Sequence, residues 1–312
     1  MHIDDLVFLG RWLHGQGYRF TTVTPATHAR VNARASSARA RDLRGVFGWS
    51  RPFAPALLPP GIMAALQQGG LLAAAPDGCF ASTVRFSSIG ELLFAHSAYP
   101  TTQADAVFFG PDTVRFAALI EAQLQEAALP GGARILDMGC GGGPGGIVAA
   151  RAAGPVQLVL ADINAAALDH ARANAALAGL SQVVFAQGDL FGAVHGMFDL
   201  IVANPPYLND AAQRTYRHGG GAWGEGLSER IVREGLPRLT PGGRLVLYTG
   251  AAMIDGTDPL LQALRPGLDA CGWPWGYREL DPDVFGEELQ EPAYATAERI
   301  AAVALVVRRP GP

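Results

Sequence analysis

Four consecutive residues, Asn204-Pro205-Pro206-Tyr207, combine a side-chain amide, two rigid prolines and a phenol. Two prolines in a row fix the backbone and remove two N–H donors, which leaves the Pro205 carbonyl beside the Asn204 side-chain oxygen as a pair of acceptors. Such a pair holds both hydrogens of an N–H₂ group, and Tyr207 supplies a flat face on which a planar group stacks. Bonding both hydrogens holds a nitrogen whose lone pair is delocalised and favours its pyramidalisation toward an incoming electrophile. The chemistry expected is substitution at a planar nitrogen, with Asn204, Pro205 and Tyr207 as the catalytic group.

Three acids stand upstream at matching positions. Asp137 lies in the apolar run Ile135-Leu136-Asp137-Met138, just ahead of the glycine-rich turn Gly139-Cys140-Gly141-Gly142-Gly143-Pro144. That turn lets the backbone approach a ligand closely and offers N–H groups at a helix start. Asp162 ends a second apolar run, where a carboxylate can accept both hydroxyls of a ribose. Asp189 follows a third run, placed to accept a hydrogen bond from an adenine amino group.

Positioning these groups together requires a sheet. Residues 134–138, 157–162, 183–187, 198–203, 244–249 and 300–307 read as buried strands, and 144–153, 164–178 and 227–239 as helices, with Asn164 as an N-cap. Alternation of strand and helix predicts an α/β, doubly wound parallel sheet whose carboxyl edge carries the ligand crevice. Two late strands, near 277–280 and at 300–307, are expected to pair as a hairpin at its edge. A helix over 113–126 joins this part to residues 1–104, where an amphipathic helix, Arg-rich and Pro-rich stretches and two alternating segments, 79–86 and 91–95, suggest a smaller α+β, winged-helix-like domain. The boundary is expected between 104 and 105.

Composition excludes several classes. The chain has 312 residues, 49% of them hydrophobic and 17% charged, which rules out disorder, collagen and coiled coil. All 24 basic residues are Arg, so no P-loop or Schiff-base lysine exists. Cys79, Cys140 and Cys271 lie far apart, and His96, His170, His195 and His218 show no metal spacing, so no metal is expected. Apolar runs such as 300–307 are far short of the roughly 20 residues of a membrane span. Asp4 and Asp5 stand where a signal peptide wants basic residues, and a cytoplasmic location is expected.

Taken together, Asp137 to Gly146, Asp162, Asp189 and Asn204 to Tyr207 resemble the successive motifs of class I S-adenosylmethionine-dependent methyltransferases of the N-P-P-Y group. Within it the chain is similar to release-factor glutamine methyltransferases and their relatives, over roughly 106–309. The resemblance implies a Rossmann-like, seven-stranded sheet with its last strand antiparallel, and S-adenosyl-L-methionine as cofactor. It implies that Gly139 and Gly141 admit the methionine part, that Asp162 holds the ribose, that Asp189 meets the adenine, and that Asn204 binds the acceptor nitrogen. Asp137, Ile163, Leu190 and Asn204 complete the expected cofactor set. The chain departs from the pattern at Gly110-Pro111-Asp112-Thr113-Val114, at Arg214-Thr215-Tyr216-Arg217-His218 and in its first hundred residues.

The acceptor is expected to be a carboxamide such as a protein glutamine side chain. The alternatives are a guanidino or amide metabolite, for example a free amino acid, and a nucleobase amino group. His218, Trp223 and the pair Glu287 and Glu288 are candidates for touching it. Residues 1–51 hold eight Arg against three Asp, while 279–298 holds seven acids and no Arg. Because the net charge is −4 and no aromatic residue lies between Ala26 and Val46, the arginines are expected to pair with those acids. Residues 1–104 then form a docking or lid domain for a protein or small molecule, with nucleic acid and membrane disfavoured as partners.

Overall fold

Helices α1 (Ile3–Gly15), α2 (Pro25–Asn32), α3 (Leu43–Phe47) and α4 (Pro60–Gln68) open the computed structural model, which describes residues 2–210 and 214–311. Two antiparallel pairs follow, β1 (Leu72–Ala74) with β2 (Phe80–Ser82) and β3 (Val84–Ile89) with β4 (Leu92–Ser97). The winged-helix-like expectation contained one hairpin, whereas two separate two-stranded sheets are present. The run expected as one strand over 79–86 breaks at Thr83. The Ser82 hydroxyl bonds both the carbonyl and the N–H of Val84, a local side-chain turn that competes with the ladder. Leu6, Leu9, Leu13, Phe47, Phe53 and Phe86 form a core for this region, closed on one side by Ala173.

From α5 (Pro111–Glu126) onward, strand and helix alternate: β5 (Arg134–Met138), α6 (Pro144–Ala153), β6 (Gln157–Asp162), α7 (Ala165–Leu177), β7 (Val183–Gln187), β8 (Phe198–Ala203), α8 (Gly226–Gly235), β9 (Leu239–Ile254), α9 (Pro259–Cys271), β10 (Trp275–Asp281) and β11 (Ala297–Arg308). They build one seven-stranded sheet in the order β10-β11-β9-β8-β5-β6-β7. Strands β5 to β9 run parallel, and β11 lies antiparallel between β9 and β10. The expected late hairpin is therefore the pair β10–β11. Successive residues of β11 alternate between two cores, Ile300, Ala302 and Ala304 facing one and Ala301, Val303 and Leu305 the other. Helices α5, α6 and α7 cover the first face, α8 and α9 the second.

Asn164 caps α7 as expected, its Oδ1 accepting from the Ala166 N–H at 3.0 Å. Helix α9, which was not anticipated, contains Pro266 and so lacks an unbroken helical signal. Strand order reverses between β5 and β8, and the crevice opens there, at the carboxyl ends of the strands. Among the described residues no helix is long and apolar enough to cross a membrane.

Candidate active site

A cavity of about 420 Å³ lies over that switch point, and Asp137, Gly139, Gly141, Asp162, Ile163, Asp189, Leu190, Asn204, Pro205 and Tyr207 all line it. The residues singled out from the sequence are thus brought to one place by four successive strand ends.

The glycine turn leaves β5 with left-handed backbone at Gly139 (φ +68°) and Gly141 (φ +53°), conformations that side chains disfavour. A Cβ built on either would meet nothing within 4 Å, so the space beside the turn is open. Asp137 is buried beneath the turn, its Oδ2 accepting from Gly146 N–H at 2.7 Å. Burial pushes its carboxyl up to about 7, more than the Gly146 N–H offsets, and the nearby Asp162 adds to the rise. The Asp162 carboxylate accepts from Gly141 N–H and from Asn164 N–H, each at 2.8 Å. These bonds fix its plane and leave further lone pairs for a ligand, while burial raises its pKa. Ile163 exposes an apolar face beside it, and Leu190 lies with φ +43°, an uncommon conformation held in place by burial. Asp189 has a partner that sequence reasoning did not foresee: Arg230 of α8 donates to both of its oxygens, at 3.0 and 3.3 Å, on the exposed rim.

Asn204 sits half-buried where β8 ends. Tyr207 turns inward, and its hydroxyl donates to Asp112 Oδ2 at 2.9 Å. Tyr248 donates to the other oxygen at 2.5 Å and Arg115 to that same oxygen at 3.0 Å. Asp112 therefore ties the start of α5 to the loop after β8 and to β9. An acid in the first turn of a helix reads simply as a dipole partner, and its real partners lie 95 and 136 residues away. The Tyr207 ring packs against Gly250, where a Cβ would come within 2.2 Å, and meets Phe285 edge-on at 5.9 Å. Burial drives the Tyr207 phenol well above its ordinary pKa, so it stays a donor to Asp112.

Of the acceptor candidates, His218 lines the cavity and its Nδ1 is buried without a partner. Trp223 does not line it; its backbone bonds Glu225 and Tyr294. Glu288 reaches the site through an ion pair with Arg217, and Glu287 is exposed. The expected pairing of N-terminal arginines with the acidic stretch is not seen. Glu279 pairs with Arg299, Asp281 with Arg115 and Glu288 with Arg217, while Arg39 pairs with Asp77. The acids at 279–298 are answered by arginines of their own half, which their order along the chain did not reveal.

Residues 109–254 match the family described as Methyltransferase small domain. The release factor glutamine methyltransferase of Deinococcus radiodurans is 33% identical over 199 residues, covering 60% of this chain and 66% of that protein. The ribosomal RNA small subunit methyltransferase C of Chromohalobacter salexigens is 38% identical over 123 residues, covering 39% of this chain and 33% of that protein. The chain thus spans less than two thirds of either relative. Among solved structures, wild-type Trm5b from Pyrococcus abyssi shares the fold, with TM-score 0.50 and 16% identity over 76% of this chain and 62% of that one.

Proposed function

From a chain whose residues 109–254 match the methyltransferase small domain model, on a seven-stranded sheet of the class I methyltransferase type, we propose an S-adenosylmethionine-dependent N-methyltransferase acting on a planar nitrogen. The observation that carries this reading is the meeting of the open glycine turn, the Asp162 carboxylate and Asn204-Pro205-Pro206-Tyr207 around one cavity. The residues fit the cofactor. Gly139 and Gly141 leave room for backbone contact, Asp162 holds acceptors for ribose hydroxyls, Ile163 and Leu190 give apolar walls, and Asp189 stands at the rim.

When bound, S-adenosylmethionine supplies an electrophilic methyl group on a sulfonium sulfur. Asn204 Oδ1 and the Pro205 carbonyl accept the two hydrogens of the acceptor nitrogen and aim its lone pair. Tyr207 gives that planar group an apolar wall, held by Asp112 and by contact with Gly250. The apolar surroundings keep water from competing. With the donor on Gly139, Gly141 and Asp162, Asn204 and Pro205 would hold the nitrogen for methylation.

The clamp suits a carboxamide, as the release-factor relative supports, and equally an exocyclic amine, as the ribosomal RNA relative supports. Donor binding measured by calorimetry and single-turnover methyl transfer, each for the parent and for Asn204→Ala, test the reading. Binding without any transfer to protein, nucleic acid or metabolite pools would overturn it.

A further inference from the structure

The surface leading away from the cavity carries a feature outside the family-matched residues. Helix α2 starts at Pro25, which lines the cavity, and ends at Asn32, whose Oδ1 accepts from Arg51 Nε at 2.9 Å. Eight residues of helix bridge roughly 12 Å. At the far end the Arg51 guanidinium lies 5.3 Å from the Trp49 ring, in the field of Arg34 and Arg41. Asp42 is the nearby acid, and its Oδ1 is spent on the Gly45 N–H. Arg30, Arg34, Arg41 and Arg44 are exposed, and none is ion-paired among the described residues. A cluster of like charges held together without partners repels itself, and an anionic ligand relieves that repulsion.

Aromatic groups connect this cluster to the cavity. The His28 ring lies 5.1 Å from Trp49 and stacks on Tyr99 at 4.0 Å. His28 donates through Nε2 to the Trp49 carbonyl at 2.8 Å, and burial lowers its pKa to about 4, so it is a neutral plate near pH 7. Two residues beyond Tyr99, the Thr101 carbonyl accepts from the Tyr216 hydroxyl at 2.7 Å. Tyr216 faces Phe108 with rings nearly parallel, centroids 6.3 Å apart, and both line the cavity. The aromatic residues missing from 26–46 in the sequence are supplied at 49, 99, 108 and 216 by the fold.

We propose that this file is a track for a single nucleic-acid strand, with phosphates on Arg30, Arg34, Arg41 and Arg44, bases against the outer edges of Trp49 and Tyr99, and one base entering the cavity beside the stacked Phe108 and Tyr216. Cations along a backbone path interleaved with stacking faces are what a single strand requires. An acidic protein would use the arginines and leave the aromatic file idle. The inference deepens the N-methyltransferase reading by naming the polymer that carries the acceptor nitrogen, and strand binding is testable without that reading.

The test is fluorescence anisotropy of labelled 12-nucleotide RNA and DNA strands with the full chain and no methyl donor. Four phosphate contacts, at a slope of about −0.7 each, predict affinity falling ~50-fold between 50 and 200 mM salt. The variant Arg34→Gln, Arg41→Gln, Arg44→Gln leaves one contact and a fall of about threefold, while binding S-adenosylmethionine as the parent does. Trp49→Ala weakens binding by roughly five- to hundredfold at every salt concentration with the slope kept, and Trp49→Phe restores it. No binding of either strand at 50 mM salt, binding indifferent to the arginine variant, or preference for a glutamate-rich peptide overturns the track. Strand binding with no methyl transfer keeps the track and sinks the N-methyltransferase reading instead.

Discussion

Residues 1–104 carry nine Arg against five acids, and residues 105–312 carry fifteen against twenty-three, so the two regions stand at +4 and −8. They differ equally in how their surfaces arise. In the second region each candidate residue ends or follows a strand, so local order along the chain is spatial order along one sheet edge. In the first, Trp49, His28 and Tyr99 meet from three separate segments. Chemistry at strand ends is repeated and readable, whereas a surface assembled from loops is not. Under the two proposals the labour divides, the second region holding the donor and the reacting nitrogen and the first the polymer that bears the acceptor.

Asn204→Ala lowers the single-turnover rate by roughly 10²–10³ while leaving donor affinity within about twofold, because its Oδ1 is one of the two acceptors proposed to hold the acceptor nitrogen. Loss of donor binding in a folded variant would show that the loop after β8 serves the cofactor.

Asp162→Ala comes next. A ribose bonded to a carboxylate contributes about 1.5–3 kcal/mol, so calorimetry is expected to give ten- to hundredfold weaker donor binding. Strand binding by the first region remains at the parent value, and a parallel loss there would merge the two regions into one site.

Titration sharpens the contrast further. Asp137, pushed up to about 7 by burial, is roughly 90% ionised at pH 8 and 10% at pH 6. A positively charged donor is therefore expected to bind about tenfold more weakly at pH 6, and Asp137→Asn flattens the profile. The sign for stability is opposite. With its ordinary value at 3.8 and its folded value about 7, Asp137 stabilises the fold fully below about 3.8 and loses that contribution as pH rises through 7. A flat affinity profile in the parent would remove Asp137 from the donor site.

The smallest effect concerns the hinge of the site. Tyr207→Phe deletes one donor to Asp112 and leaves Tyr248 and Arg115 in place, which costs about 0.5–1.5 kcal/mol in denaturant unfolding. A larger loss would mean that Asp112, rather than Asn204, organises the loop.

Most of the sheet was legible because Ile135, Leu160, Ile201 and Val246 sit in runs bounded by glycine, proline or an acid. The strand lengths were less so, β9 extending to 239–254 where only 244–249 had a continuous apolar signal. Asn204, Asp162 and Gly141 were readable as motif members. Asp112 was not, since its partners come from distant elements, and neither was Arg230, which reaches Asp189 from a helix 41 residues later. The arginine stretch was readable as charge, but its expected partners at Glu279, Asp281 and Glu288 were already taken by Arg299, Arg115 and Arg217.

The most direct test follows a labelled methyl group from S-adenosylmethionine through the full chain into total cellular macromolecules, then digests each fraction to its monomers. The expected result is label in a nucleoside, on an exocyclic nitrogen, present with the parent protein and lost with Asn204→Ala. Label on carbon or oxygen, or on no acceptor at all, would contradict N-methyl transfer, and label on a glutamine side chain would contradict the division of labour between the two regions.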